Sequence, residues 1–440
     1  MKIFDQIDME QHSDAWKQRF NPEVSYYGGK GAAFSPGVQA QVSAYGTGGT
    51  GEMPAYAVLH GSFVPYQFTG WMDESRSIHE TGYIGDWSWL NKMILSGPDS
   101  IKCLEQSTIN GYRKFPVGKG RHIISITPNG KMIGDGIAFR LAEDKFMLTG
   151  GTMVAEGKMI NTTGCDVEIE DVTEKYFNYH VQGPNSKATL EKLTGEDFTD
   201  LKFIWFKKTE IQGIEVMIYR GGMSGELGYE LFGDASYGSV IWKAVVEAGK
   251  EFGMRQLGYR TLMLNHLQAF FPTIWIDFVP SIVPGADIMY RSPVDYGWGN
   301  LIDKSRDFPG KDILVKEMEH PARKSVTLEW DKDDCITIYS SLFDAEEPFE
   351  QMPMPVSVSE PGGPAAPFLT IWSEDGKMIG TTTNRGYSYQ FRKVISLAVI
   401  DVKYTEPGTN VYVLYGNEGE RQMKVHAKVA PVPYKTDSRK

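Results

Sequence analysis

Short apolar runs separated by turn residues fill most of the chain, and they recur in a set order. KMILSGPDSIKCLEQSTI (92–109) reads as a strand, a Gly97-Pro98 turn and a helix entered at Asp99 and Ser100, with Ile101, Cys103 and Leu104 inward. Three strands follow in 120–151, separated by Pro128-Asn129-Gly130 and by Ala142 to Lys145. Residues 166–232 repeat the grammar: DVEIEDVTEKYFNYHVQGP leads through Gly183-Pro184 into a helix from Ser186 to Leu193, then more strand. The two Gly-Pro passages hint at an internal duplication. YGSVIWKAVVEAGKEFG (237–253) has a helical apolar face at Val240, Ile241, Ala244, Val245 and Ala248, with Gly253 as a terminator.

Near Pro309 to Pro321 the text changes. ARKSVTLEW, DCITIYSSLF, PFLTIW, a long run from Lys377 to Tyr404 and NVYVLYG are all β-rich pieces between turns, which predicts a small β-barrel. Residues 21–55, with the core GTGGTG, suit neither helix nor long strand. They read as a surface loop or as a lid whose contacts are Tyr26, Tyr27 and Tyr45. The expected domains are a 1–55 extension with its glycine-rich loop, a 56–315 α+β region of two intertwined subdomains, and a 316–440 barrel.

Length and composition fit this picture. A chain of 440 residues exceeds one ordinary core, and 41% hydrophobic with 12% aromatic residues fills two or three. The net charge of -11 and the lack of a long basic run argue against nucleic acid as a partner. A local basic pocket for one anionic cofactor stays open. Three scattered cysteines without a CxxC pair, and eight histidines without HxH or HExxH, support no metal site and suit a reducing cytosol. The amino terminus has no apolar core for a signal peptide, and no run of 18 apolar residues exists for a spanning helix, so a cytoplasmic protein is expected. GKGAAF and GTGGTG match neither a phosphate loop nor a dinucleotide fingerprint.

Five ordered passages carry a resemblance. RGGMSGELGYELFG (220–233) resembles the folate-site signature of the glycine-cleavage T-protein (aminomethyltransferase) superfamily. GDWSWLNKMILSGPDSIKCLEQ, ITPNGKMIGDGIAFRLAEDKF, LGYRTLMLNHLQA and DYGWGNLIDKSRDFPGKDIL are similar, in the same order, to other blocks of that family. The resemblance spans about 70–440 and implies a three-domain α+β cloverleaf, with antiparallel sheets flanked by helices, a C-terminal β-barrel and tetrahydrofolate in a central channel. By position, Glu230 would anchor the pterin, since a carboxylate suits the paired N–H donors of a 2-aminopyrimidinone edge. Glu226, Tyr229, Arg260 and Trp298 complete the expected cofactor contacts. The glycines around Glu226 would let backbone approach a flat ligand. Surface charges in a hairpin, or a structural ion pair for Arg260, are the plainer readings.

Departures from the family pattern narrow the chemistry. Where the resembled aminomethyltransferases carry a catalytic aspartate after an asparagine, this chain has Asn110 then Gly111, and GDG keeps only Asp135 of an aspartate pair. FTGWMDESRSIHETGYIGDWSW, LAEDKF, VEAGKEFGM and YGWG look instead like the tetrahydrofolate-dependent aromatic O-demethylases. Leu262 and the Gly150-Gly151 region replace residues that the resemblance ties to vanillate, so another methoxy, methylthio or methylamino substrate is expected. The implied reaction moves a methyl group to N5 of tetrahydrofolate, with His60, Tyr83 and His266 as candidate proton donors and His122 a weaker one. Trp87, Trp89, Asn110 and His122 are the expected substrate contacts. S- or N-demethylation, aminomethyl transfer and a non-catalytic folate-binding protein are the alternatives.

Overall fold

The computed structural model describes residues 33–34, 56–59, 62–150, 164–354 and 368–439. His60, the three loop tyrosines and Gly151 lie outside them. Strands β1 (Ala33–Phe34), β2 (Tyr56–Leu59) and β3 (Ser62–Pro65) form a small sheet of order β1-β3-β2. Helix α1 (Trp71–Glu80) follows; its Glu74 is fully buried. The Glu74 carboxylate accepts from Phe68 N, Thr69 N, Gly258 N and Thr261 Oγ1, so it ties this opening segment to a helix nearly two hundred residues on.

Strands β4 (Tyr83–Asp86) and β5 (Lys92–Ser96), helix α2 (Ser100–Ser107), then β6 (Gly120–Ile126), β7 (Met132–Ala142), β8 (Lys145–Gly150) and β9 (Glu168–Asp171) come next. The same strand, turn and helix order returns in β10 (Tyr176–Gln182) and α3 (Ser186–Thr194), then β11 (Phe206–Ile211), β12 (Ile214–Arg220) and β13 (Gly228–Asp234). Gly97 (φ +132°) and Gly183 (φ +106°) open the two turns, and a Cβ on either would sit within 2.6 Å of backbone. Helix α4 (Gly238–Lys250), strand β14 (Arg255–Gln256), helix α5 (Tyr259–Ala269) and helix α6 (Lys311–Glu319) complete this region.

Two sheets result, β6-β7-β8-β5-β9 and β11-β12-β13-β10-β4-β14, antiparallel except where β14 joins β4. They pack face to face: Phe139 meets Tyr219 and Phe232 edge-on at 4.9 and 5.3 Å, among Ile94, Met147 and Met217. The outer face of the larger sheet is covered by α3 and α4 over Phe177, Tyr179, Val181 and Leu231, and that of the smaller by α2 over Leu95, Ile123 and Leu148. In α4, Ile241, Ala244, Val245 and Ala248 face inward as their spacing predicts, but Val240 is exposed and Trp242 is buried in its place.

The C-terminal region closes into a six-stranded barrel, β15-β18-β17-β16-β19-β20. Its strands are β15 (Arg323–Trp330), β16 (Leu369–Ser373), β17 (Met378–Ser388), β18 (Lys393–Asp401), β19 (Asn410–Tyr415) and β20 (Met423–Ala430). DCITIYSSLF, expected as β, folds instead as the end of helix α7 (Lys332–Ser340) and a short 3-10 turn. Asp331 caps it by accepting from Asp333 N and Asp334 N, and the first-turn aspartates favour the helix dipole. No helix among the described residues is long and apolar enough to cross a membrane.

Candidate functional site

Strand alternation assembles a polar nest between the two sheets. In YFNYHVQ of β10, Phe177, Tyr179 and Val181 enter the outer core, which turns Asn178, His180 and Gln182 towards the facing sheet. Register then aligns a row across four strands: Tyr219 opposite Glu230, Glu230 opposite His180, His180 opposite Gly85. The facing sheet presents the row His122, Ile137, Thr149 and Lys92.

Glu230 is buried, and burial pushes its carboxyl up to about 8 against the opposing charge of Lys92. Lys92 is itself fully buried, its Nζ donating to Ser88 O (3.1 Å) and Leu90 O (2.7 Å). His180 Nε2 lies 3.7 Å from Glu230 Oε2, near enough to feel its charge and too far for a hydrogen bond. Burial first, then the Lys92 charge, depresses this imidazole to about 3, so it is neutral at ordinary pH. Around the pair, the side-chain amide of Asn178, both ring nitrogens of His180 and the Tyr83 hydroxyl make no hydrogen bond among the described residues. These buried, unmet polar atoms make the nest the candidate seat of a ligand.

Tyr83 thus joins Glu230 in the nest, and burial together with the Glu230 charge raises its phenol well above the usual range. Trp87 stacks on His180, and with Trp89 it also lines a small open cleft shared with Phe68, Tyr259 and Leu262. Tyr229 does not share the nest. It neighbours Glu230 on β13, so alternation turns it to the opposite face, where it packs on Phe198.

His122 stands at the other end of the facing row. Its Nε2 is 2.7 Å from Asp135 Oδ2, and its ring meets Trp298 edge-on at 4.8 Å. Asn110, read as a substrate contact, is buried with its amide spent on β6: Nδ2 donates to His122 O and Oδ1 accepts from Ile124 N. It positions His122. A Cβ on Gly111 would come within 2.4 Å of the Asp303 carboxylate, which would have to turn aside for a side chain there.

The remaining expected residues serve joints between elements. Glu226 Oε1 is 3.1 Å from His79 Nδ1 and 3.2 Å from Lys435 Nζ, while Ser438 Oγ donates to Oε2. Burial raises its pKa, but these partners outweigh that and bring it to about 2. Glu226 therefore holds the segment after the barrel. The motif glycines meet Gln182: a Cβ on Gly222 or Gly228 would lie 2.1 Å from its amide, which donates to Gly221 O and Tyr229 O. Close approach is needed there for a side chain of the chain itself. Arg260 donates to Met354 O at 2.6 Å and lies over Tyr66. His266 is buried between Met263 O and Asp277, which also accepts from Thr383, and so it pins α5 to the barrel.

Sequence reasoning missed Lys92, Asn178 and His180. The signal for two of them was legible: an asparagine and a histidine alternate with apolar residues on a strand enclosed on both faces.

Comparison with known proteins agrees with this architecture. Residues 44–286 match the GCVT N-terminal domain, and residues 362–435 match the glycine cleavage T-protein C-terminal barrel domain. The chain is 31% identical to a sesamin methylene transferase of Sinomonas sp., over 84% of this chain and 90% of that protein. It is 30% identical to a syringate O-demethylase of Sphingobium sp., over 86% and 91%. The crystal structure of aminomethyltransferase T of the glycine cleavage system from Bartonella henselae has the same fold, with a TM-score of 0.71 over 92% of this chain and 99% of that one at 16% identity. The chain belongs to the glycine-cleavage T-protein (aminomethyltransferase) superfamily and is homologous to its aromatic O-demethylase-like members.

Proposed function

We propose that the chain is a tetrahydrofolate-dependent demethylase that takes a methyl group from a methoxy substrate, aromatic by analogy with the relatives named for syringate and sesamin. The observation that carries the reading is the nest around Glu230, whose unmet amide, imidazole and phenol fit the hydrogen-bonding edge of a pterin. Glu230, Asn178, His180 and Tyr83 would hold that edge. Bound tetrahydrofolate supplies a nucleophilic N5 that accepts the one-carbon unit.

The chain's own part is alignment and proton supply. The stacked sheets exclude water from the slot and fix the ring's position against Glu230, which replaces an encounter in solution with a held geometry. A departing phenolate needs a proton, and His122 is the best-placed donor. If Nε2–H is donated to Asp135, Nδ1 is the outer nitrogen, and it has a proton to give only when the ring is doubly protonated. Proton donation of this kind contributes roughly 10²–10⁴-fold.

A second reading has a specific support, the 31% identity to a sesamin methylene transferase: the unit transferred would then be a methylene rather than a methyl. Purified protein incubated with tetrahydrofolate and a panel of methoxyarenes, sesamin, methylated sulfonium compounds and methylamines, followed by mass spectrometry of the folate, tests both. We expect 5-methyltetrahydrofolate, or the methylene form, from one arene and none with Glu230→Ala. A protein that does not bind tetrahydrofolate would overturn the proposal.

A further inference from the structure

His180, like Tyr83, Lys92 and Asn178, lies outside the signature motif. It is the cross-strand partner of Glu230 and 4% exposed. The Trp87 indole lies flat on it, centroids 3.9 Å apart and planes 5° from parallel. Gly85 permits this stack, because a Cβ there would reach within 2.2 Å of the indole. A ring clamped in this way cannot turn to find partners, yet neither nitrogen has one among the described residues. The titratable groups around it are Glu230 on β13, Lys92 on β5 and Tyr83 on β4. Glu230 stands off Nε2, so once ionised by a bound ring it favours the tautomer with the proton on Nε2. Nδ1 is then a bare, buried acceptor.

We infer that His180 selects the oxidation state of the cofactor ring, accepting from the N8–H that a tetrahydropterin carries beside its amino-pyrimidine edge and that the fully oxidised ring lacks. An oxidised ring would set a nitrogen lone pair against the imidazole lone pair, and a buried acceptor left unmet is the kind of mismatch that discriminates strongly. The inference rests on the folate reading above.

The test is equilibrium binding, under anaerobic conditions, of tetrahydrofolate and of folic acid to the wild-type chain and to His180→Phe, which keeps the stack on Trp87 and removes both nitrogens. We expect the wild type to prefer tetrahydrofolate by at least about tenfold, and His180→Phe to bring the two dissociation constants within about twofold, chiefly by weakening the reduced form. His180→Met reads the same ratio should the phenylalanine variant not fold, and His180→Asn, which keeps an acceptor, should retain part of the preference. An unchanged ratio in the Phe or Met variant would overturn the inference and leave the folate reading standing. A wild type that binds neither folate would remove both.

Discussion

Glu230 keeps its proton at neutral pH because burial costs the carboxylate more than Lys92 returns, and that has a measurable consequence. Between its ordinary 4.5 and about 8, the folded chain holds a proton that the unfolded chain has released, so this group's contribution to stability falls as pH rises. His180 has the opposite slope. Its depressed pKa of about 3 means that the unfolded chain binds the extra proton below 6.5, and stability is lost as pH falls. Glu230→Gln removes the first effect and keeps the side chain's shape. Its melting temperature should exceed that of the wild type by about 1–3 °C at pH 8, with the gap shrinking steadily towards pH 5.5. Melting curves across that range decide the matter, because a gap independent of pH would mean that the carboxyl is already ionised in the folded chain. If the proposed ligand role is right, the same substitution should also abolish folate binding.

At the scale of elements, β13 and β10 show what was readable in advance. The order of strands and helices followed from hydrophobic period and turn residues, and the barrel from its short β runs, since these depend on local spacing. Which residues share a face also follows from period two, yet Tyr229 was grouped with Glu230 because the motif was read as a string and the pleat was ignored. DCITIYSSLF misled because Ile336 and Tyr339 look like strand residues, whereas Asp331, Asp333 and Asp334 ahead of them make a strong helix start. Contacts such as Glu226 with Lys435 join residues 209 positions apart, and no local pattern encodes them. The two faces of β13 can be separated by experiment. Tyr229→Ala should cost about 3–5 kcal/mol in denaturant unfolding, as large buried aromatics do, while the folded fraction binds tetrahydrofolate with affinity within a few-fold of wild type. Glu230→Ala should do the reverse. A Tyr229→Ala protein that is stable but blind to folate would place the tyrosine in the nest after all.

The elements around the nest are held by joints that local packing cannot supply. Glu74 bonds the opening segment to α5, His266 and Asp277 fasten α5 to the barrel, and Glu226 fastens the segment after the barrel to the loop that leads into β13. The last of these lies only four residues before Glu230, so the C-terminal segment bears on the strand that carries the site. Lys435 Nζ is nearly inaccessible, and burial lowers its pKa despite the neighbouring carboxylate, so it pays for its place only while Glu226 is ionised. Lys435→Met keeps the length and removes the charge. Breaking a fully buried pair costs about 3–5 kcal/mol; here His79 and Ser438 still serve Glu226, and about 1–3 kcal/mol is expected. Because Glu226 is depressed to about 2, its contribution is complete above 4.5 and fades as pH falls towards 2, so the variant and the wild type should converge on acidification. Hydrogen exchange gives the sharper reading. If the joint steadies the site, the variant should lose protection first in the Ser438 amide, which donates to Gly225 O, and next in residues 225–230, while the barrel strands stay protected. Loss spread evenly over the barrel would show instead that Lys435 stabilises its own domain and that the segment does not brace β13.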